Sequence, residues 1–201
     1  MHQPSIVRRP WRALFASTVS ALLAACGGGG DDDASSTPPS SAAASAPSGA
    51  PLAALSTCGL PSFQASLLAR INQVRASGAD CGSEGVFPAA PQLAWNDRLA
   101  SAADGHSEDM AAQNYFSHTS ADGRTLAARV DASGYAWLAL GENIAAGYVG
   151  VNAVMDGWIA SPGHCANLMN AGFAEVGVAC VPGSAGDTYS NYWTMDLGRP
   201  R

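Results

Sequence analysis

The chain has 201 residues, 47% hydrophobic and 13% charged, with a formal net charge of −6. That is enough for one core of ordinary domain size rather than two. Every basic residue is arginine, and three of the ten (Arg8, Arg9, Arg12) precede the first apolar run, so beyond residue 25 seven arginines face sixteen acids, a formal −9. Binding phosphates needs clustered Lys and Arg to release counterions, which excludes nucleic acid as a partner.

Residues 1–12 carry three arginines and no acid, and residues 13–25 are apolar or small. Such a run is too short to span a bilayer, which takes about 20 residues, and reads as the apolar core of a secretory leader. Leu23-Ala24-Ala25-Cys26 has the bulky-small-small-cysteine form of a lipobox. It resembles bacterial lipoproteins, in which the thiol corresponding to Cys26 is acylated and becomes the new N-terminus. An anchor of several acyl chains would hold this chain to a membrane. Gly27 rather than aspartate after that cysteine points, by the same resemblance, to the outer membrane of a bacterial envelope. Residues 26–57, with GGGG, DDD and repeated Ser, Ala and Pro, bury too little apolar surface to offset ordering entropy. They read as a flexible tether with a reach of roughly 30 Å at about 5–6 Å × √n.

A folded domain is expected over 58–201, where seven arginines face thirteen acids. Ser62 precedes an i, i+4, i+8 stripe through Phe63, Leu67, Ile71 and Val74, ended by Gly78, which predicts a capped amphipathic helix. A second helix is expected from Asn96 as its cap to about Asn114, carrying Leu99, Ala102, Ala103, His106 and Met110. Asp122-Gly123 is expected to open a third, short helix, and Val151, Val154, Met155, Trp158 and Ile159 a fourth that Ser161-Pro162-Gly163 ends. Over 173–181 and 188–197 apolar and polar residues alternate, which predicts two antiparallel strands. Leading helices and trailing strands indicate an α+β architecture. Cys58, Cys81, Cys165 and Cys180 are expected to form two disulfides in an exported chain. Of the three possible connectivities, the sequence-local one (58 to 81, 165 to 180) would close loops of about 24 and 16 residues, each worth around 3 kcal/mol. A tetrathiolate zinc site is the competing reading, but it normally shows Cys-x-x-Cys pairs, and the sequence has none.

Three histidines follow the leader. His106 falls on or beside the apolar stripe of its helix and reads as a buried, hydrogen-bonded side chain. His118 and His164 come just after predicted helices, where loops tend to present functional groups. Glu142 is an acid in an otherwise apolar stretch, which implies a paired or perturbed carboxyl. The separations of 24 and 22 residues between these three match no short metal motif.

The words YFSHTS, GENIAAG, WIASPGHCANL and AEVGV…YWTMDLG, in this order, closely resemble the CAP superfamily of cysteine-rich secretory, venom-antigen and pathogenesis-related proteins, in its bacterial SCP-like extracellular branch. The resemblance covers about 62–197. It implies an α-β-α sandwich with a central antiparallel sheet and an open cleft lined by two histidines and acids. Carried over, the histidines are His118 and His164 and the acid is Glu142, beside Asn143. The family's second acid falls where this chain has Ser161, and Glu175 on the first trailing strand is a candidate replacement.

Two histidines and an acid are a ligand set for zinc or another divalent ion with an open position. The favoured expectation is a binding module for a divalent metal, a hydrophobic ligand such as a lipid or sterol, or an envelope partner. The alternative is a hydrolase using a metal-bound water or one of Ser117, Ser120 and Ser161 with a histidine base, although the chain has no Gly-x-Ser-x-Gly elbow. A third reading is a scaffold whose cleft has lost its chemistry. No motif for an organic cofactor is present, and nothing in the sequence fixes an oligomeric state.

Overall fold

The computed structural model describes residues 5–8 and 54–201. Cys26, residues 27–53 of the tether and most of the leader lie outside the described residues. Among the described residues no helix is long and apolar enough to cross a membrane.

Helix α1 (Phe63–Ser77) buries Phe63, Leu67, Ile71 and Val74, as its stripe predicts. Its start differs from expectation: Ser62 has a left-handed backbone (φ 49°) and its side chain caps nothing. Helix α2 (Asp97–Gln113) begins as expected, with Asn96 Oδ1 accepting from the amides of Arg98 and Leu99 at 2.9 and 3.3 Å. It ends at Asn114 in the left-handed region. Helix α3 (Leu126–Ala132) starts later than predicted, capped by Thr125. Asp122 instead turns the chain ahead of it by accepting from the Arg124 amide. Helix α4 (Val151–Ala160) does stop at Ser161, but Ser161-Pro162-Gly163 is a joint rather than an exit. Ser161 takes an extended backbone and Pro162, with its preset φ, opens helix α5 (Pro162–Met169).

Strands β1 (Ser5–Arg8), β4 (Ala94–Trp95), β5 (Trp137–Ala146), β6 (Glu175–Pro182) and β7 (Asn191–Pro200) form one sheet in the order β1-β5-β7-β6-β4. A separate pair joins β2 (Ala79–Asp80) to β3 (Val86–Phe87). The two predicted trailing strands are β6 and β7. Their sheet neighbour β5, ten residues long like β7, escapes the pattern, because it is buried along most of its length and shows no polar face. All pairings in the large sheet are antiparallel except β4–β6.

Strand alternation sends side chains to two helical layers. Val176, Val178, Trp193, Met195 and Leu197 pack in one core with Leu67 and Ile71 of α1, Met155 and Trp158 of α4 and Leu168 of α5. On the opposite face Leu140 packs with Leu99, Ala102 and Val130, and Ile144 and Tyr192 pack with Met110. The molecule is therefore the α+β sandwich the motifs imply. Gly177 sets the distance between α2 and the sheet, since a Cβ there would lie 2.0 Å from the Ala100 amide nitrogen.

The cysteines pair as Cys58–Cys180 and Cys81–Cys165, not in the sequence-local arrangement. The reason is topological. Residues 56–58 run beside β6, with the Cys58 amide donating to Cys180 O and the Cys180 amide to Ser56 O, both at 3.0 Å. Cys81, just after β2, meets Cys165 on α5. With these four sulfurs in disulfides, the described residues hold no tetrathiolate zinc site.

Candidate functional site

Consecutive residues of β5 divide the site between the two layers. Glu142 faces α2 and α3, and its side chain is fully buried. One carboxylate oxygen accepts from His118 Nδ1 at 2.6 Å and the other from Arg129 Nη2. Burial alone would push this carboxyl up, but the His118 hydrogen bond and the Arg129 charge outweigh it and hold it below the usual range. Glu142 is thus a carboxylate that fixes an imidazole, with both oxygens committed.

The loop bearing His118 is held from two helices. His106, fully buried on α2, has Nε2 2.9 Å from Ser117 O and Nδ1 3.5 Å from Ser120 Oγ. Desolvation lowers its pKa to about 4, so the ring is neutral near pH 7. A neutral ring that donates from Nε2 and accepts at Nδ1 satisfies both contacts. The expectation of a buried structural histidine is met. From α3, Arg129 Nη1 reaches His118 O, Ser120 Oγ and Arg124 O at 3.1–3.3 Å. Sequence reasoning passed over Arg129, although it joins loop, helix and strand.

It also passed over Asp196. This residue lies opposite Glu142 on β7, is fully buried, and makes no hydrogen bond of ordinary geometry. Burial and the neighbouring Glu142 carboxylate raise its carboxyl well above the ordinary range. The neutral form of this acid is thereby favoured, beneath a charged one.

Asn143 faces the other layer. Its amide donates to His164 O at 3.0 Å, and Asn167 on α5 donates to Asn143 Oδ1 and to Glu142 O. His164 lies in the first turn of α5 rather than in a loop after a helix. Ser161 is the joint between α4 and α5 and lines the same cleft as His164. Glu175 stands elsewhere: it accepts from Tyr135 OH at 2.6 Å and borders a different hollow with Asn96 and Arg98. It does not replace the missing acid of the site.

The cleft beside His164 holds about 290 Å³ and is lined by Phe116, Ile144, Tyr148, Trp158 and Tyr189 as well as Ser161. Gly157 on α4 leaves room for the Tyr148 ring, which would come within 2.6 Å of a Cβ there. Among the described residues no group of three or more His, Cys, Asp or Glu is placed to hold a metal ion. His118 and His164 belong to two polar clusters that meet through β5, and only His164 lines the cleft.

A five-stranded sheet between helical layers, with a histidine–glutamate–arginine cluster under one face and an aromatic cleft beside the other, defines a sandwich of the secretory-protein type. The chain belongs to the CAP, or cysteine-rich secretory protein, family, whose model matches residues 68–197. It is 30% identical over 135 residues to the uncharacterized protein YkwD of Bacillus subtilis, covering 67% of this chain and 51% of that one. It is 40% identical over 87 residues to the uncharacterized membrane protein YlbC of the same organism, covering 43% and 25%. The chain thus spans between a quarter and a half of the length of these relatives. Among solved structures, an outer surface protein from Borrelia burgdorferi matches with a TM-score of 0.56 at 18% identity, covering 67% of this chain and 90% of that one. An extracellular SCP-domain protein from Bacillus anthracis is 37% identical, with 55% and 34% covered and a TM-score of 0.49.

Proposed function

We propose that this chain is an exported, lipid-anchored binding module whose cleft takes a small apolar ligand, a lipid chain or a sterol-like ring. The cleft lining carries the reading: Ile144 and Trp158 with the rings of Phe116, Tyr148 and Tyr189, against Ser161 and His164 as its polar groups. Apolar clefts with a few placed polar groups are the usual form of small-ligand sites. Export is supported by the apolar run of residues 13–25 behind three arginines, which reads as a secretory leader. A fluorescent fatty acid titrated into the purified protein should bind saturably, and Tyr148→Ala should weaken it by roughly tenfold, the worth of part of one buried aromatic side chain. Absence of saturable binding would refute the apolar reading.

A second reading, a divalent ion on His118 and His164, is supported by the His118–Glu142 pair. A carboxylate on one ring nitrogen orients a histidine to ligate through the other. Calorimetric titration of zinc should then show stoichiometric binding that His118→Ala and His164→Ala both abolish. Hydrolysis is less well supported, because Glu142, with both oxygens engaged, is not placed to act as a general base.

A further inference from the structure

One end of the large sheet is nearly free of charge. Ala146 closes β5 there, and the Gly147 amide donates to Asn191 O at 3.0 Å, while Asn191 pairs with Pro182, the last residue of β6. The chain enters the domain at the same end: residues 56–58 bond to Cys180, and the Leu60 amide turns back to Thr57 O. Leu60 and Pro61 then share a hollow with Val149, Gly150 and Val151. Residues 54–62 and 143–155 contain no Asp, Glu, Lys or Arg. The turn between β6 and β7 has one, Asp187, whose carboxylate accepts from the Ser184 amide of its own loop. In a domain where seven arginines face thirteen acids, neutrality is local to this end.

An apolar tip stands out from it. Tyr148 and Val149 lie between Gly147 and Gly150, whose positive φ of 78° and 92° suits glycine alone. Tyr148 O accepts from Asn191 Nδ2 at 3.0 Å and Trp193 Nε1 at 3.1 Å, so the tip is pinned from its buried side. Val149 is 82% exposed even so, the most exposed large apolar side chain among the described residues. Tyr148 and Tyr189, 38% and 37% exposed, are at once outer surface and cleft wall. A single exposed valine needs no explanation. A valine beside two half-wet tyrosines on a pinned, uncharged rim has the composition of a lipid interface contact, with rings in the apolar layer and hydroxyls among the headgroups.

We propose that this end of the domain rests on the lipid surface to which the chain is anchored, with Val149 and the Tyr148 and Tyr189 rings at the headgroup–acyl boundary of a neutral bilayer and the cleft opening onto the lipid. This rests on the lipid-anchored reading above and adds the source of the cleft's ligand. So small a patch would not hold a free acidic domain. Attachment through residues 27–53, read as a tether, confines the domain to roughly 30 Å from the surface, which amounts to an effective concentration on the order of millimolar. Because the chain enters at the uncharged end, that end is the one drawn to the lipid. The other end of β5 lies about 27 Å away, at ~3.4 Å per residue from Ala146 to Leu138, and carries Asp131, Arg199 and Arg201 around Trp137.

The test uses the protein purified from membranes in detergent and reconstituted into phosphatidylcholine vesicles, with the acyl groups on Cys26 read by mass spectrometry. A polarity-sensitive fluorophore is attached to Val149→Cys and, separately, to Leu138→Cys. Leu138 is the matched control, an apolar side chain 45% exposed at the far end of β5. On reconstitution the Val149 label should shift its emission to the blue and be quenched by nitroxide-bearing lipid, and the Leu138 label should do neither. Hydrogen exchange of the protein without a label should slow at 147–150 in vesicles relative to the soluble Cys26→Ser form. An acylated chain whose Val149 label stays silent, whose two labels respond alike, or whose exchange at 147–150 is unchanged overturns the proposal. A chain with no acyl group on Cys26 overturns it together with the anchor. Fatty-acid binding by the Cys26→Ser form reports on the cleft independently.

Discussion

Glu142 stays ionised in a dry site because His118 and Arg129 share its charge. The value of such a pair is asymmetric: forming it roughly balances desolvation, whereas removing one partner strands a buried charge. Arg129→Met should therefore cost about 3–5 kcal/mol in chemical denaturation, and adding Glu142→Gln should recover part of the loss. If Arg129→Met were neutral, the pair would not hold the site together. The pH dependence follows from two groups of opposite sign. His106 is held near 4, below its ordinary 6.5, so the unfolded chain takes the proton first, and stability present above 6.5 is lost toward pH 4, up to about 3 kcal/mol. Asp196 is raised, so the unfolded chain releases its proton first, and stability falls as pH rises above the ordinary carboxylate range. Asp196→Asn removes the second effect. The variant should be at least as stable as the parent at pH 7, and it should lose more stability than the parent between pH 7 and 5, measured by urea unfolding. His118 and Glu142 were legible in the sequence as words of a family. Arg129 and Asp196 were not, since strand alternation shows that Asp196 shares a face with Thr194 and Tyr192 but not that α2 covers that face.

Elements with one wet face were legible and elements without one were not. The stripes of α1 and α2 gave their positions closely, and Asn96 gave a helix start to the residue. β5 carries both polar clusters and remained hidden, because burial on both sides leaves no period to read. The disulfide pairing was hidden for a related reason, as sequence distance says nothing about which elements lie side by side. Cys58 joins Cys180 because the entry segment runs beside β6. Packing between elements yields a further prediction at Gly177. Its missing Cβ admits the α2 backbone, and backbone cannot rotate away as a side chain can. Gly177→Ala should destabilise by about 1–3 kcal/mol or more, read as a lowered thermal midpoint, with a smaller effect expected for Gly105→Ala on the open side of α2, where a Cβ meets nothing within 4 Å. Equal effects at the two positions would mean that α2 shifts freely over the sheet.

At the scale of the whole molecule, the proposed lipid anchor would have to act alone on an acidic domain. The folded part carries seven arginines against thirteen acids, so an anionic lipid surface repels it rather than holds it. Among the described residues no helix can cross a bilayer. If the chain is membrane-bound, the acyl groups proposed at Cys26 must supply nearly all the binding, at about 0.8 kcal/mol per buried CH₂. Cys26→Ser should then move the protein wholly into the soluble fraction, at low salt as well as high, because no attractive charge remains for salt to screen. Release at high salt alone would reveal a basic surface that the composition does not contain. Retention at every salt concentration would assign the anchor to the uncleaved apolar run of 13–25, and the strand Ser5–Arg8 would then stay on β5 in the working protein.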